Sequence, residues 1–270
     1  MKAFLHHLAY DFKTGVRDRS KLLMFYLFPL VFFALVGGLM ASVNPGFKQT
    51  MIPAMVLFAF MCAALLSLPN LLVNAREAGV FRSYRINGVP SASILTIPVI
   101  GTAVHMAVIA LLITLAGARI YGGVLPTALP GFIAAAVLSY AAYAGIGVLI
   151  GVAAGNATVS ILAGQLVYIP SIILGGLMVP SALLPPALQR ISLLLPATHG
   201  MRVFTALGMG DAAQPVPVLS ICVLAVSALL SFALAAFLFE WDSRASQPSR
   251  RAIAAILGVA PYAAAALIGF

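Results

Sequence analysis

Seven apolar runs fill most of this chain, at roughly 22–43, 51–73, 94–116, 129–154, 157–180, 216–239 and 252–270. Each is close to the ~20 residues that a helix needs to cross the hydrocarbon core of a bilayer. What remains is short connections and one semi-polar stretch at 181–215, which leaves no room for a separate soluble catalytic domain. With 63% of its 270 residues apolar and 8% charged, the chain also lacks the polar surface to cover a water-soluble globule. The expected fold is an all-α polytopic membrane protein with six core transmembrane helices and a seventh segment. That seventh run is short, carries Pro261 near its middle and ends at Phe270, so crossing, dipping in and lying along the surface are all open to it. The first run begins only near Lys21 and has the length of a full span, which sets it apart from the shorter apolar region of a cleavable signal.

The formal charge of +9 would suggest a nucleic-acid surface in a soluble protein. Here the basic residues lie between apolar runs, where they act as topology signals, and no nucleic-acid partner is expected. A cytoplasmic N-terminus puts eleven of them inside (Lys2, Lys13, Arg17, Arg19, Lys21, Arg76, Arg82, Arg85, Arg244, Arg250, Arg251) and four outside (Lys48, Arg119, Arg190, Arg202). Arg119, at the outer end of the third run, is expected to snorkel. Cys62 and Cys222 both fall inside apolar runs and read as small buried hydrophobes.

Four local patterns are more specific. In residues 1–21, Phe4, Leu8, Phe12 and Val16 recur every four positions while Lys2, His6, Asp11 and Lys13 fall elsewhere around the helix. This describes a cytoplasmic interfacial amphipathic helix, or equally a basic flank that anchors the first span. His6 and His7 are adjacent and diverge on a helix, so no metal site is expected there. The fourth run carries Gly147, Gly151 and Gly155 at four-residue spacing, with Tyr143 one step earlier, a stripe that lets another helix approach closely. Most such stripes serve packing within one chain. Between the second and third runs, residues 74–90 are too long and patterned for a plain turn, and helical spacing from Arg76 to Ile86 brings Glu77, Phe81 and Tyr84 together, flanked by Arg82 and Arg85. Gly88 and Pro90 would end that helix. After the fifth run, Gly175-Gly176-Leu177-Met178-Val179-Pro180 leads to Leu184-Pro185-Pro186 and then Leu195-Pro196-Ala197-Thr198-His199-Gly200. Prolines at that density suit irregular backbone at membrane depth, shielded by protein.

Arg76-Glu77-x-Gly79 followed by an aromatic, two arginines and Pro90 resembles the coupling helix of permeases in the ABC type-2 exporter family. The 175–200 stretch resembles the same family's external re-entrant helices, which precede the sixth span. The ordered set covers about residues 1–240 and implies a six-span core at 22–240, with a coupling helix at 74–90 and a re-entrant region at 181–215. Residues 241–270, a cytoplasmic linker and an extra C-terminal span, depart from that pattern. The resemblance further implies a subunit of a bacterial-type plasma (inner) membrane exporter that pairs with a second copy or a related permease, among membrane lipids. A separate P-loop ATPase would bind ATP and magnesium. Its contacts would be Arg76, Glu77, Gly79, Phe81, Arg82, Tyr84 and Arg85, with an external gate at Pro180, Pro185 and Pro196.

Absences point the same way. A P-loop needs Gly before its Lys, yet Lys2, Lys13, Lys21 and Lys48 follow Met, Phe, Ser and Phe. No H-E-x-x-H or G-x-S-x-G motif occurs, and the two glutamates, Glu77 and Glu240, both lie at cytoplasmic boundaries, so no enzyme activity and no bound cofactor or metal is expected of this chain. His105 in the third run and His199 in the re-entrant stretch are the intramembrane ionisable candidates. They keep two alternatives alive: a stand-alone ion- or proton-coupled carrier, which would use His105, and a non-transporting scaffold or immunity protein.

Overall fold

The computed structural model describes residues 8–9, 12–44, 46–210, 217–241 and 255–268. Six helices have the length and composition of membrane spans: α1 (Arg19–Met40), α2 (Phe47–Glu77), α4 (Ser91–Tyr121), α5 (Leu129–Ala153), α6 (Ala157–Leu174) and α9 (Val218–Leu238). Between them lie α3 (Val80–Ile86), α7 (Pro186–Ser192) and α8 (Pro196–Gly208), and α10 (Ala260–Ile268) follows. No strand occurs among the described residues.

α2 is the central column, with every residue from Met51 to Leu65 buried. Its middle opens into a π turn at Cys62–Ser67, just before Pro69. Pro69 has no N–H to give the carbonyl four residues earlier, that of Leu65, and a wide turn accommodates the loss. α1 repeats the device, with a π turn at Leu23–Leu27 ahead of Pro29.

The loosened carbonyls become packing surfaces. A Cβ placed on Gly147 of α5 would collide with the Ala64 carbonyl, and one on Gly164 of α6 with that of Leu65. One turn further, Gly151 lies against Pro69 Cα and carbonyl, where a Cβ would stand at 3.0 Å. Gly155, expected on the same stripe, lies in the turn past the end of α5, where an added Cβ would meet nothing within 4 Å. The glycine stripe therefore seats α5 on α2 inside one chain. Tyr143, on the same stripe, is fully buried and donates to the Pro196 carbonyl at 3.3 Å.

Several boundaries differ from expectation. α2 runs on to Glu77 and α4 starts at Ser91, because polar residues near the surface continue a helix that apolar counting stops early. α6 ends at Leu174, where Gly175-Gly176 releases the chain, Gly176 with φ +84°. α10 has nine residues, ~13 Å at 1.5 Å per residue, against the ~30 Å of a hydrocarbon core. It packs on α9, with Tyr262 fully buried and Ala265 nearly so. Of the N-terminal amphipathic pattern, Lys2, Phe4, His6, His7 and Asp11 lie outside the described residues, as do Arg244, Arg250 and Arg251 in the C-terminal linker; Phe12–Gly15 is helical.

Candidate functional site: the helix beneath the bundle

The chain leaves α2 through Gly79, whose φ of +73° is a left-handed conformation that suits glycine, and Gly88 at φ +70° closes α3 in the same way. Pro90 then stands as the N-cap of α4. The short helix thus begins at Val80, not at Arg76, because the left-handed break at Gly79 comes first.

The break sorts the residues of this segment into two roles. Arg76 belongs to the last turn of α2 and is only 7% exposed. Its guanidinium donates to the Val152 carbonyl at 3.0 Å and to the Ala154 carbonyl. These are among the C-terminal carbonyls of α5 that have no helical donor. Arg76 therefore closes one helix with the side chain of another, and it lines a small crevice with Phe81, Leu95, Phe239 and Glu240. Phe81 is buried as well, packed among Leu72, Leu95, Val152 and Ala235 and against the Phe239 ring at 5.5 Å. Trp241 meets Phe239 edge-on at 5.2 Å, and half-buried Tyr84 packs on the same cluster.

The outer face of the segment carries Glu77, Gly79, Arg82 and Arg85, all exposed. Ile86, at 79% exposure, adds an apolar knob beside Arg82 and Arg85. α3 is thus a shelf: one aromatic anchor fixes it to the ends of α2, α4, α5 and α9, while its two arginines and isoleucine face outward beside Glu77 at the end of α2. The anchor was the part that sequence reasoning missed. Its signal was the Phe239-x-Trp241 pair just past the sixth apolar run.

Removing the Arg76 guanidinium should cost about 2–3 kcal/mol, since hydrogen bonds from a charged donor are worth roughly 1.5–3 kcal/mol and two buried carbonyls would be left without one. Arg76→Ala should accordingly lower the thermal midpoint in mild detergent, and Arg76→Lys should recover only part, because an ammonium cannot fork to two carbonyls as a guanidinium does. Equal midpoints for Arg76→Ala and the parent would remove this role.

At the far end of the bundle, α8 lies inside rather than on top. Its first residue accepts from Tyr143, fourteen residues into α5, and its last meets Phe132 near the start of α5. α8 therefore runs alongside α5 for ~18 Å of depth. Pro196 opens it, Pro185 caps the largely exposed α7, and Pro180 precedes a 3-10 turn at Ser181–Leu183. His199 is fully buried between them. Its Nε2 lies 2.9 Å from the Leu193 carbonyl, which can only accept, so Nε2 donates and Nδ1 accepts from the Ser220 hydroxyl at 3.0 Å. The imidazole pins α8 to the turn before it and to α9, with Tyr262 of α10 5.6 Å away, ring to ring.

His105 is elsewhere. Its Nδ1 meets the Tyr26 hydroxyl at 2.8 Å, Phe12 stacks on it at 4.9 Å and Phe25 tilts against it at 5.5 Å. The two histidines share no site, and each is enclosed by partners that hold helices together. Among the described residues, no cluster of His, Cys, Asp or Glu could hold a metal ion.

Comparison with known proteins adds one finding. A family model described as ABC-2 family transporter protein matches residues 39–237, which takes in α2 through α9 and therefore the shelf, the glycine seat and the inserted α8. No curated protein and no solved structure gives a match.

Proposed function

This chain belongs to the ABC-2 transporter family, and from that premise we propose that it is the permease subunit of an ATP-driven exporter, working as a pair beside a separate ATPase. The observation that carries the proposal is the shelf. A short helix presents Arg82, Arg85 and Ile86 outward, beside Glu77 at the end of α2, and is bolted through Phe81 to the ends of four spans.

In this reading the N-terminus and α3 are cytoplasmic in a bacterial-type plasma (inner) membrane, as the distribution of basic residues favours. ATP and its magnesium bind to the partner. When the ATPases close on nucleotide they press on α3. The Phe81 anchor and the Arg76 cap carry that displacement into α2, α4, α5 and α9. Two arrangements of the spans, one opening inward or sideways and one outward, are then biased by nucleotide state. The stretch from Pro180 to Pro196 and the inserted α8 form the outer gate. Proline-broken helices suit this role, since they can shift without unravelling a continuous span.

The test is affinity purification of the full chain from mild detergent. A P-loop ATPase of different sequence should accompany the wild-type protein and be lost on exchange of residues 80–86 for a Gly/Ser stretch. An intact, folded protein that brings down no ATPase overturns the proposal in favour of a stand-alone carrier, for which a proton-gradient response dependent on His105 is the next measurement.

A further inference from the structure

A groove of about 390 Å³ runs between α4 and α5 in the half of the membrane away from α3. Its most buried lining is Phe60, Met106, Ala110, Phe132 and Tyr140, with half-buried Ala103 and Ala136 and exposed Ala107 between the rims. Its rims are Leu111, Ile133 and Val137, each more than half exposed. The length follows from the helices. On α4 the lining extends from Ala103 to Thr114 and on α5 from Leu129 to Tyr140, eleven steps in both cases, or ~16 Å. That is about half of a ~30 Å hydrocarbon core, one leaflet.

The chemistry of the lining is equally restrictive. Only Thr114 and Tyr140 bring hydroxyls, and both are spent inside the protein: Thr114 donates to the Ala110 carbonyl at 2.7 Å and Tyr140 to the Val99 carbonyl at 2.8 Å. The groove presents hydrocarbon only. It offers nothing to hold a polar headgroup or an ordered water, which needs two to four polar partners. Over ~16 Å of length the groove has room for a hydrocarbon chain, with carbons at ordinary contact distance from its walls.

The rims are continuous with the lipid-facing surface of the spans, so a chain enters sideways from the bilayer without crossing water. The geometry points to a binding site for one acyl chain of a resident membrane phospholipid, held between α4 and α5 for the depth of one leaflet. Its gain over bulk lipid is dispersion contact. A void without partner atoms forfeits that contact, and a chain gripped on three sides recovers it. The site lies apart from the shelf beneath the bundle, and it stands or falls independently of ATP coupling.

The full chain reconstituted in vesicles of phosphatidylethanolamine and phosphatidylglycerol, doped with phosphatidylglycerol bearing a photoreactive diazirine on its acyl chain, provides the test. After illumination and peptide mapping, residues 103–114 and 129–140 should carry about tenfold more label than the lipid-exposed stretch of α9 around Leu229, the ratio produced by 1.4 kcal/mol of preferential contact. Filling the groove with Ala107→Phe and Ala136→Phe should abolish the excess and leave labelling around Leu229 unchanged. Even labelling of the wild-type chain along α4, α5 and α9 overturns the proposal, and this arm needs no variant to fold. So does an excess that survives Ala107→Leu as well as the double substitution, and so does cross-linking of the groove to a second copy instead of lipid.

Discussion

Gly147→Ala should destabilise this protein, although helix propensity alone says the opposite. In an exposed helix interior, Gly to Ala gains up to about 1 kcal/mol. At Gly147 the added methyl meets the Ala64 carbonyl closer than any real contact, and that carbonyl is backbone, held in the π turn of α2, so it cannot swing aside. Overpacking of a rigid core costs roughly 1–3 kcal/mol and sometimes more, so packing outweighs propensity at this position. Gly147→Val should cost about 3 kcal/mol or more and remove most of the folded, monodisperse protein recovered from membranes. Gly155→Val, eight residues on and in the turn after α5, with nothing within 4 Å, should be close to neutral. Thermal midpoints read by size-exclusion in mild detergent separate the cases. A Gly147→Ala variant at or above the parent midpoint would show that α5 does not seat on α2 as described.

The contrast between these two glycines, evenly spaced in the sequence, shows where sequence reading stops. Spacing identifies glycines that admit a neighbour, but not which neighbour, since the Ala64 carbonyl is 83 residues away in the chain and lies in a π turn. The six spans themselves were legible because lipid imposes a length and a composition on each segment separately, with no long-range information required. Helix ends were less so. Counting apolar residues stops at Val73, while α2 continues to Glu77 because the Arg76 side chain finds carbonyls on α5. The start of α3 was available in principle, since Gly79 is a strong local break, but Arg76 and Glu77 carry good helical character and hid it. His105 and His199 were visible as ionisable residues among apolar ones. Their partners, Tyr26 at 79 residues' separation and Ser220 at 21, were not, and it is the partners that make both histidines helix pins. The coupling candidates divide likewise: Arg82 and Arg85 stand on the exposed face, while Arg76 and Phe81 hold the shelf in position from below.

That division sets the second expectation. Arg82→Ala with Arg85→Ala should leave the fold nearly unchanged, because both side chains are exposed while the buried Phe81 anchors α3 and Gly79 and Gly88 bound it. Surface substitutions away from structural features usually stay within about 0.5 kcal/mol. Against a partner the same two residues matter more. A charge-assisted hydrogen bond enclosed by an interface is worth roughly 1.5–3 kcal/mol, so losing two should weaken a shelf–ATPase contact by a hundredfold or more in the limit of simple additivity. Measured export from reconstituted vesicles should therefore drop at least tenfold while the thermal midpoint holds and the partner retains its basal ATP hydrolysis. Glu77→Ala should act in the same direction and more weakly, as one contact in place of two. Phe81→Ala provides the opposite signature, because emptying a buried aromatic site costs about 3–5 kcal/mol and should lower stability together with export. A double alanine that is well expressed, folded and fully competent in export would take Arg82 and Arg85 out of the coupling surface. The motion would then have to pass through the N-terminal segment, where Phe12 stacks on His105 of α4.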